Sequence, residues 1–251
     1  MDVRRFLEWA RDDDLLVEIK QSVDPYLESA RLIFALDGKP VFFSRLSGHP
    51  GWRLLSGMCA QRGTFAAALG CSVPELVPRL AEAVKAPQPP PVLDRGPCQE
   101  VVEPVDLIRL PIPRYHQGDG GPYITAGVST VKDPVFGRNI SFHRLMVLDE
   151  ARFTARIVEG RGTHTALTRV DGDLPVAIAV GAPVQVLLAA AMSPDKEVDE
   201  LGIAHALVPT PLVRCQTVPL EVPAEAELIL EGRITGSWAD EGPFPDLTGT
   251  M

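Results

Sequence analysis

The chain has 251 residues, 45% of them hydrophobic and 23% charged, with a formal net charge of −9. That balance is that of an ordinary soluble globular protein, large enough for one big domain or two smaller ones. It excludes general binding to a phosphate backbone, which needs clustered Lys and Arg. No apolar run nears the roughly 20 residues of a membrane span. The opening "MDVRRFLEWARDDDLL" is charged throughout, unlike a signal peptide, so a cytoplasmic location is expected.

Residues 1–85 alternate helical and extended patterns and are expected to form a small α/β domain. "VRRFLEWA" and "DPYLESARLIFALDG" carry apolar residues at helical spacing, the second with Asp24 as N-cap and Pro25 at the first helical position. "PVFFSRL" and "WRLLSGM" read as strands, "FAAALG" and "VPELVPRLAEAV" as helices. Five prolines between Pro87 and Pro97 leave little room for a helix or central strand, so 86–100 reads as an extended linker. From 101 to 251 the runs are short and β-branched: "YITAGVSTV", "ISFHRLMVL", "ARFTARIV" and "LPVAIAVG", punctuated by Gly, Pro and Asp. One helix, "APVQVLLAAAM", opens at Pro183, and "LVRCQTVPLEVP" and "AELILEGRITG" follow as strands. The expected fold class is α+β, its second domain a barrel or sandwich.

Cys59, Cys71, Cys98 and Cys215 show no CxxC pairing or zinc-like spacing, so small buried thiols are expected rather than a disulfide framework or a nucleophile. Three polar groupings in the β-rich part carry candidate chemistry. In "GRNISFHR", Asn139 and Arg144 are five apart and fall on opposite faces of a regular strand, so a bulge or turn at Gly137 is needed to aim both inward. A solvated edge strand is the plainer alternative. In "ARIVEGRGTHT", Arg161 stands between Gly160 and Gly162, ahead of Thr163 and His164. A basic side chain beside approachable backbone amides suits a phosphate, although an ordinary glycine turn has the same composition. The acidic set is Glu200 in "VDELGIAHAL", with Glu241 and Asp246 in "EGPFPDLTGTM". A carboxylate with a neutral oxygen donor such as Asn139 suits Mg²⁺ or Mn²⁺ better than zinc. Two acids near an arginine can divide between orienting a cation and carrying a proton, while each acid taken singly also fits a solvated surface. Of the five histidines, only His164 adjoins such a grouping; His49 and His116 sit in turn-like contexts, His143 and His205 in apolar patterns.

Taken in order, "GRNISFHRLMV", "RIVEGRGTH", "LPVAIAVGAPVQVLLAA", "VDELGIAHAL", "VPAEAELILEG" and "DEGPFPDLTG" resemble the UbiD family of decarboxylases, which use prenylated FMN, Mn²⁺ and K⁺. The resemblance implies that Asn139 and Glu200 ligate the metal on the cofactor phosphate. Arg144 would lie between two catalytic acids, Glu241 and Asp246, the latter donating a proton after decarboxylation. Phe142, His143, Arg144, Arg156, Ile157, Val158, Arg161 and Gly162 would line the cofactor. The same resemblance implies a split β-barrel of flavin-reductase type and a reversible, non-oxidative decarboxylation of an aromatic, heteroaromatic or α,β-unsaturated carboxylic acid. A flavin prenyltransferase would supply the cofactor.

Two positions depart from the family pattern. Pro245 replaces a glycine and fixes φ at about −65°, which bears on the aim of Asp246. Gly162 stands where some members carry a histidine ligand, with His164 two residues on as the candidate substitute. Family members usually continue into a further α/β domain that dimerises and closes over the site, so this chain is expected to be a fragment or to receive that half from another chain, and to form a homo-oligomer if that domain is supplied. Two other classes fit part of the pattern: a flavin-binding protein without turnover, and a flavin reductase on the same barrel, which leaves the acidic terminus unexplained.

Overall fold

Asp2 caps the first helix, α1 (Val3–Asp12), by accepting from the Arg5 N–H at 2.9 Å, which satisfies a donor the helix itself leaves free. The computed structural model describes residues 1–245. Next come β1 (Val17–Val23), α2 (Glu28–Ala35), β2 (Val41–Leu46), β3 (Leu54–Ser56), α3 (Arg62–Leu69) and α4 (Leu76–Lys85). β1 runs parallel to β2, which pairs antiparallel with β3. β1 is not foreseen from the sequence, because Lys20, Gln21 and Ser22 break its alternation.

Helix α2 starts at Glu28 rather than at Pro25. The Asp24 carboxylate instead accepts from the Tyr26 N–H at 2.8 Å. The cause is tertiary: Leu27 N–H donates to the Arg114 carbonyl and Arg114 N–H to the Pro25 carbonyl, so the would-be first turn is drawn into a bridge with a distant segment. Such a bridge outweighs a local capping signal worth about 1 kcal/mol.

Within the proline-rich stretch lies β4 (Val92–Leu93), parallel to a later strand. Then follow β5 (Tyr123–Ile124), β6 (Val128–Asp133), β7 (Gly137–Phe142), β8 (Leu145–Val147), β9 (Phe153–Ala155), α5 (Gly162–Leu167) and β10 (Leu174–Val180). The remainder is α6 (Val184–Ala191), α7 (Glu200–Leu207), β11 (Leu212–Arg214), β12 (Glu221–Pro223) and β13 (Leu228–Ile234). Their sheets have the orders β13-β10-β6-β7, β12-β11-β4 and β5-β8-β9. The fold is α+β, and among the described residues no sheet closes on itself. This half holds three described helices where one is expected, α5 and α7 having been masked by their glycine and motif residues.

"YITAGVSTV" and "ISFHRLMVL" are each two strands in two different sheets. Because β6 pairs with β7 and β5 with β8, they form one hairpin bent at a corner. The bend that redirects Arg144 lies at His143–Arg144, not at Gly137, and β7 is regular up to Phe142.

β10 shows why the layers fit. Leu174, Val176 and Ile178 face a cluster with Ile124, Val131, Leu145 and Ala166, while Ala179, on the opposite face of the strand, joins the core of α6 and α7. The small face lets those helices approach. Ala66, Leu69, Leu76 and Ala83 of α3 and α4 join Val128, Ile140, Val186, Leu201 and Ile203 in the same core, where each large aliphatic side chain contributes about 1.5–3 kcal/mol. This core presses the start of α7 against β7. None of the four cysteines is fully buried, contrary to expectation: Cys59 lies exposed in the loop between β3 and α3, and the other three are half-buried. Among the described residues no helix is long and apolar enough to cross a membrane.

Candidate active site

β7 is an edge strand, so some of its backbone groups lack a ladder partner and must be satisfied otherwise. Glu200, at the start of α7 and only 4% exposed, does this. Its Oε2 accepts from the Ile140 N–H at 3.1 Å and its Oε1 from Asn139 Nδ2 at 2.8 Å. Asp199 caps α7 through the Leu201 N–H at 3.0 Å and takes Arg138 at two points, Nε at 3.1 Å and Nη2 at 2.5 Å. Successive residues of β7 therefore hold the N-cap and first residue of α7, and the Asn139–Glu200 contact follows from that register.

Asn139 and Ser141 share the face of β7 that meets the first turn of α5. A Cβ on Gly162 would overlap Asn139 Oδ1 and come within 2.5 Å of its Cγ, so only glycine admits the amide. Asn139 Oδ1 is buried without a hydrogen-bond partner. An unsatisfied oxygen of that kind costs about 1–3 kcal/mol, and with the Glu200 carboxylate it makes a pair of hard donors that fits Mn²⁺ or Mg²⁺. Among the described residues no group of three or more His, Cys, Asp and Glu could hold a metal, so a cation here would draw further ligands from phosphate or water. His164 is engaged locally, its Nδ1 accepting from the Gly160 N–H at 3.3 Å.

Burial pushes the Glu200 carboxyl up from 4.5 to about 7. The metal-free folded protein then binds a proton that the unfolded chain has lost, so this stabilisation is full below the unfolded pKa and disappears as pH rises through the folded one. Metal-free protein is expected to lose on the order of 3 kcal/mol from this group between about pH 4.5 and 7. In Glu200→Gln, where Asn139 can turn its amide to accept from the new donor, that slope should flatten. Thermal melting against pH checks this; an unchanged slope would place the titration elsewhere.

His143, at the corner, has Nδ1 3.2 Å from the Arg156 carbonyl. A carbonyl only accepts, so Nδ1 carries the proton and Nε2 is the acceptor. Ser141 Oγ at 3.1 Å and Thr163 Oγ1 at 3.0 Å surround Nε2. Burial also lowers the imidazole pKa, in keeping with a neutral ring that ties β7, α5 and the 156–158 segment together. Arg156, Ile157 and Val158 lie beyond the end of β9 rather than on it, and Phe142, Arg156, Val158 and Arg161 are exposed.

Arg144 and Glu241 meet across the site. Arg144 Nη2 donates to Glu241 Oε2 at 2.8 Å, and Nε lies 2.6 Å from Oε1 but off the line of a good hydrogen bond. Asp246 lies outside the described residues. A cavity of about 1290 Å³ between the first 60 residues and the 97–113 segment includes Tyr115 and Tyr123 but none of Asn139, Arg144, Glu200 or Glu241. Tyr123, Gly120 and Asp119, which touch or support the Glu241 segment, were not singled out from the sequence; the glycine-rich "GDGGPY" ahead of β5 is the signal that could have found them.

Residues 7–84 match the sequence pattern of the 3-octaprenyl-4-hydroxybenzoate carboxy-lyase N-terminal domain, and residues 91–251 that of the 3-octaprenyl-4-hydroxybenzoate carboxy-lyase Rift-related domain. The chain belongs to the UbiD family. It is 38% identical to anhydromevalonate phosphate decarboxylase of Methanothermobacter thermautotrophicus, over 99% of this chain and 59% of the relative. Identity is 34% with pyrrole-2-carboxylic acid decarboxylase of Pseudomonas aeruginosa, over 99% and 56%. The fold matches an evolved dimeric form of the UbiD-class enzyme HmfF from Pelotomaculum thermopropionicum, solved in complex with prFMN, with a TM-score of 0.93, 35% identity, and coverage of 99% of this chain and 60% of that one. The chain thus spans somewhat more than half the length of the UbiD relatives it matches.

Proposed function

We propose that this UbiD chain is the cofactor-binding part of a reversible, non-oxidative decarboxylase that uses prenylated FMN and acts on an aromatic, heteroaromatic or α,β-unsaturated carboxylic acid. The observation that carries the reading is the unpaired Asn139 Oδ1 held beside Glu200 over the bare α-carbon of Gly162. Asn139 and Glu200 would hold Mn²⁺ on the cofactor phosphate, with K⁺ as a second cation. Bound prenylated FMN supplies an electron sink for the charge left when CO₂ departs. Complexation of HmfF with prFMN supports that choice of cofactor.

The protein's own residues have three tasks. Asn139, Glu200 and Gly162 anchor the phosphate end. Arg144, oriented by Glu241, presents a guanidinium to the substrate carboxylate. Asp246 delivers the proton, with Glu241 as the like-charged neighbour that would raise its pKa. Residues 101–251 are taken as a split barrel, a reading supported by the bent hairpin that β5–β8 and β6–β7 share between two sheets. Supply by a flavin prenyltransferase and assembly as a homo-oligomer belong to the same proposal.

Coexpression with a flavin prenyltransferase, followed by a carboxylate panel, is expected to show bound flavin and CO₂ release. Bound flavin without CO₂ release would favour a binder, and NAD(P)H oxidation a reductase. Asp246→Asn is expected to slow exchange of the product proton with solvent deuterium by about 10²–10⁴-fold. Undiminished exchange would remove Asp246 from the role.

A further inference from the structure

The segment carrying Glu241 has no helix or strand to fix it, and Trp238 just before it is 99% exposed. Yet the residues directly after Glu241 are locked. Gly120 and Gly242 cross with their backbones touching: a Cβ on either would overlap the other's Cα. The Gly120 N–H donates to the Pro243 carbonyl at 2.8 Å, and Tyr123 Oη donates to the Gly242 carbonyl at 3.0 Å. The Phe244 ring lies 4.2 Å from the Tyr123 ring and 6.4 Å from that of Tyr115.

The receiving loop is built in advance. Asp119, 2% exposed, accepts from the Tyr115 and His116 N–H groups at 3.1 and 2.8 Å, and Arg114 donates to the Asp119 carbonyl. Tyr123 is fully buried in β5, which fixes the ring that carries the hydroxyl to the Gly242 carbonyl. Burial and then the nearby Glu241 charge raise its pKa, which keeps the phenol a donor.

We infer that Tyr123 and Gly120 are positioning residues that set Glu241 on Arg144 by clasping the two carbonyls next after it. The inference rests on Arg144 and Glu241 being the catalytic pair. A carboxylate on an irregular segment samples many positions unless its backbone is fixed; here Gly242 and Pro243 are pinned, so the Glu241 α-carbon is held from one residue away.

The test pairs Tyr123→Phe, which removes only the hydroxyl, with Gly242→Ala, which forces the crossing apart. Hydrogen exchange at the Gly120 amide should be about tenfold faster or more in both. In the flavin-loaded protein, kcat/KM for the carboxylate should fall about tenfold, with flavin content and melting temperature near wild type. Unchanged exchange in both variants overturns the clasp. So does faster exchange with unchanged kcat/KM when Glu241→Gln is inactive. If Glu241→Gln keeps full activity, the catalytic assignment fails, and exchange alone decides the clasp.

Discussion

Gly162→Ala is expected to strip divalent metal and flavin from the protein while leaving it folded. The added methyl would meet three atoms of the Asn139 amide at once, so the amide must shift, and its contact with Glu200 shifts with it. Overpacking of this kind costs about 1–3 kcal/mol, less than the whole stability of a typical domain. The loss at the site is larger in effect, because the oxygen offered to the metal is no longer aimed. Mn²⁺ affinity, measured by titration calorimetry on metal-free protein, should fall by about 10–100-fold. Flavin absorbance of the purified variant should fall with it. An unchanged Mn²⁺ affinity would mean that Asn139 is not a ligand.

Arg144→Ala should do the opposite: retain flavin and lose turnover. Glu241 has 17% of its side chain exposed and loses its charge partner in that variant. We expect kcat to drop by about 10²–10³-fold. Arg144→Lys should recover little, since a single ammonium cannot reproduce a planar guanidinium that bonds Oε2 through Nη2 while keeping Nε beside Oε1. Steady-state CO₂ release and flavin content, measured on the same preparations, check this. Flavin lost along with activity would assign Arg144 to anchoring instead.

Much of this site was legible in the sequence, for reasons specific to each residue. Asn139 and Glu200 could be paired because a neutral oxygen donor and a carboxylate suit the same cation, and the structure places them 2.8 Å apart. Arg144 and Glu241 could be paired by charge. What could not be read was how a strand offers both Asn139 and Arg144: alternation sets them on opposite faces, and the corner at His143–Arg144 depends on which sheet each half joins, a choice made by β5 and β6 from a distance. α2 was misplaced for a similar reason, its first turn taken by Arg114. Gly162 looked like a lost ligand, yet its missing side chain is what admits the Asn139 amide.

The bent hairpin also acts as a ruler. Asn139 belongs to one sheet and Arg144 marks the crossing into another, so a short covalent run sets the spacing between the Asn139–Glu200 pair and the Arg144–Glu241 pair. Inserting or deleting one residue there would turn every later side chain to the other face, and neither end could slide to compensate while β6 and β5 hold their halves in register. That span is therefore fixed by pairing on both sides, and changes of length in this hairpin fit only outside it.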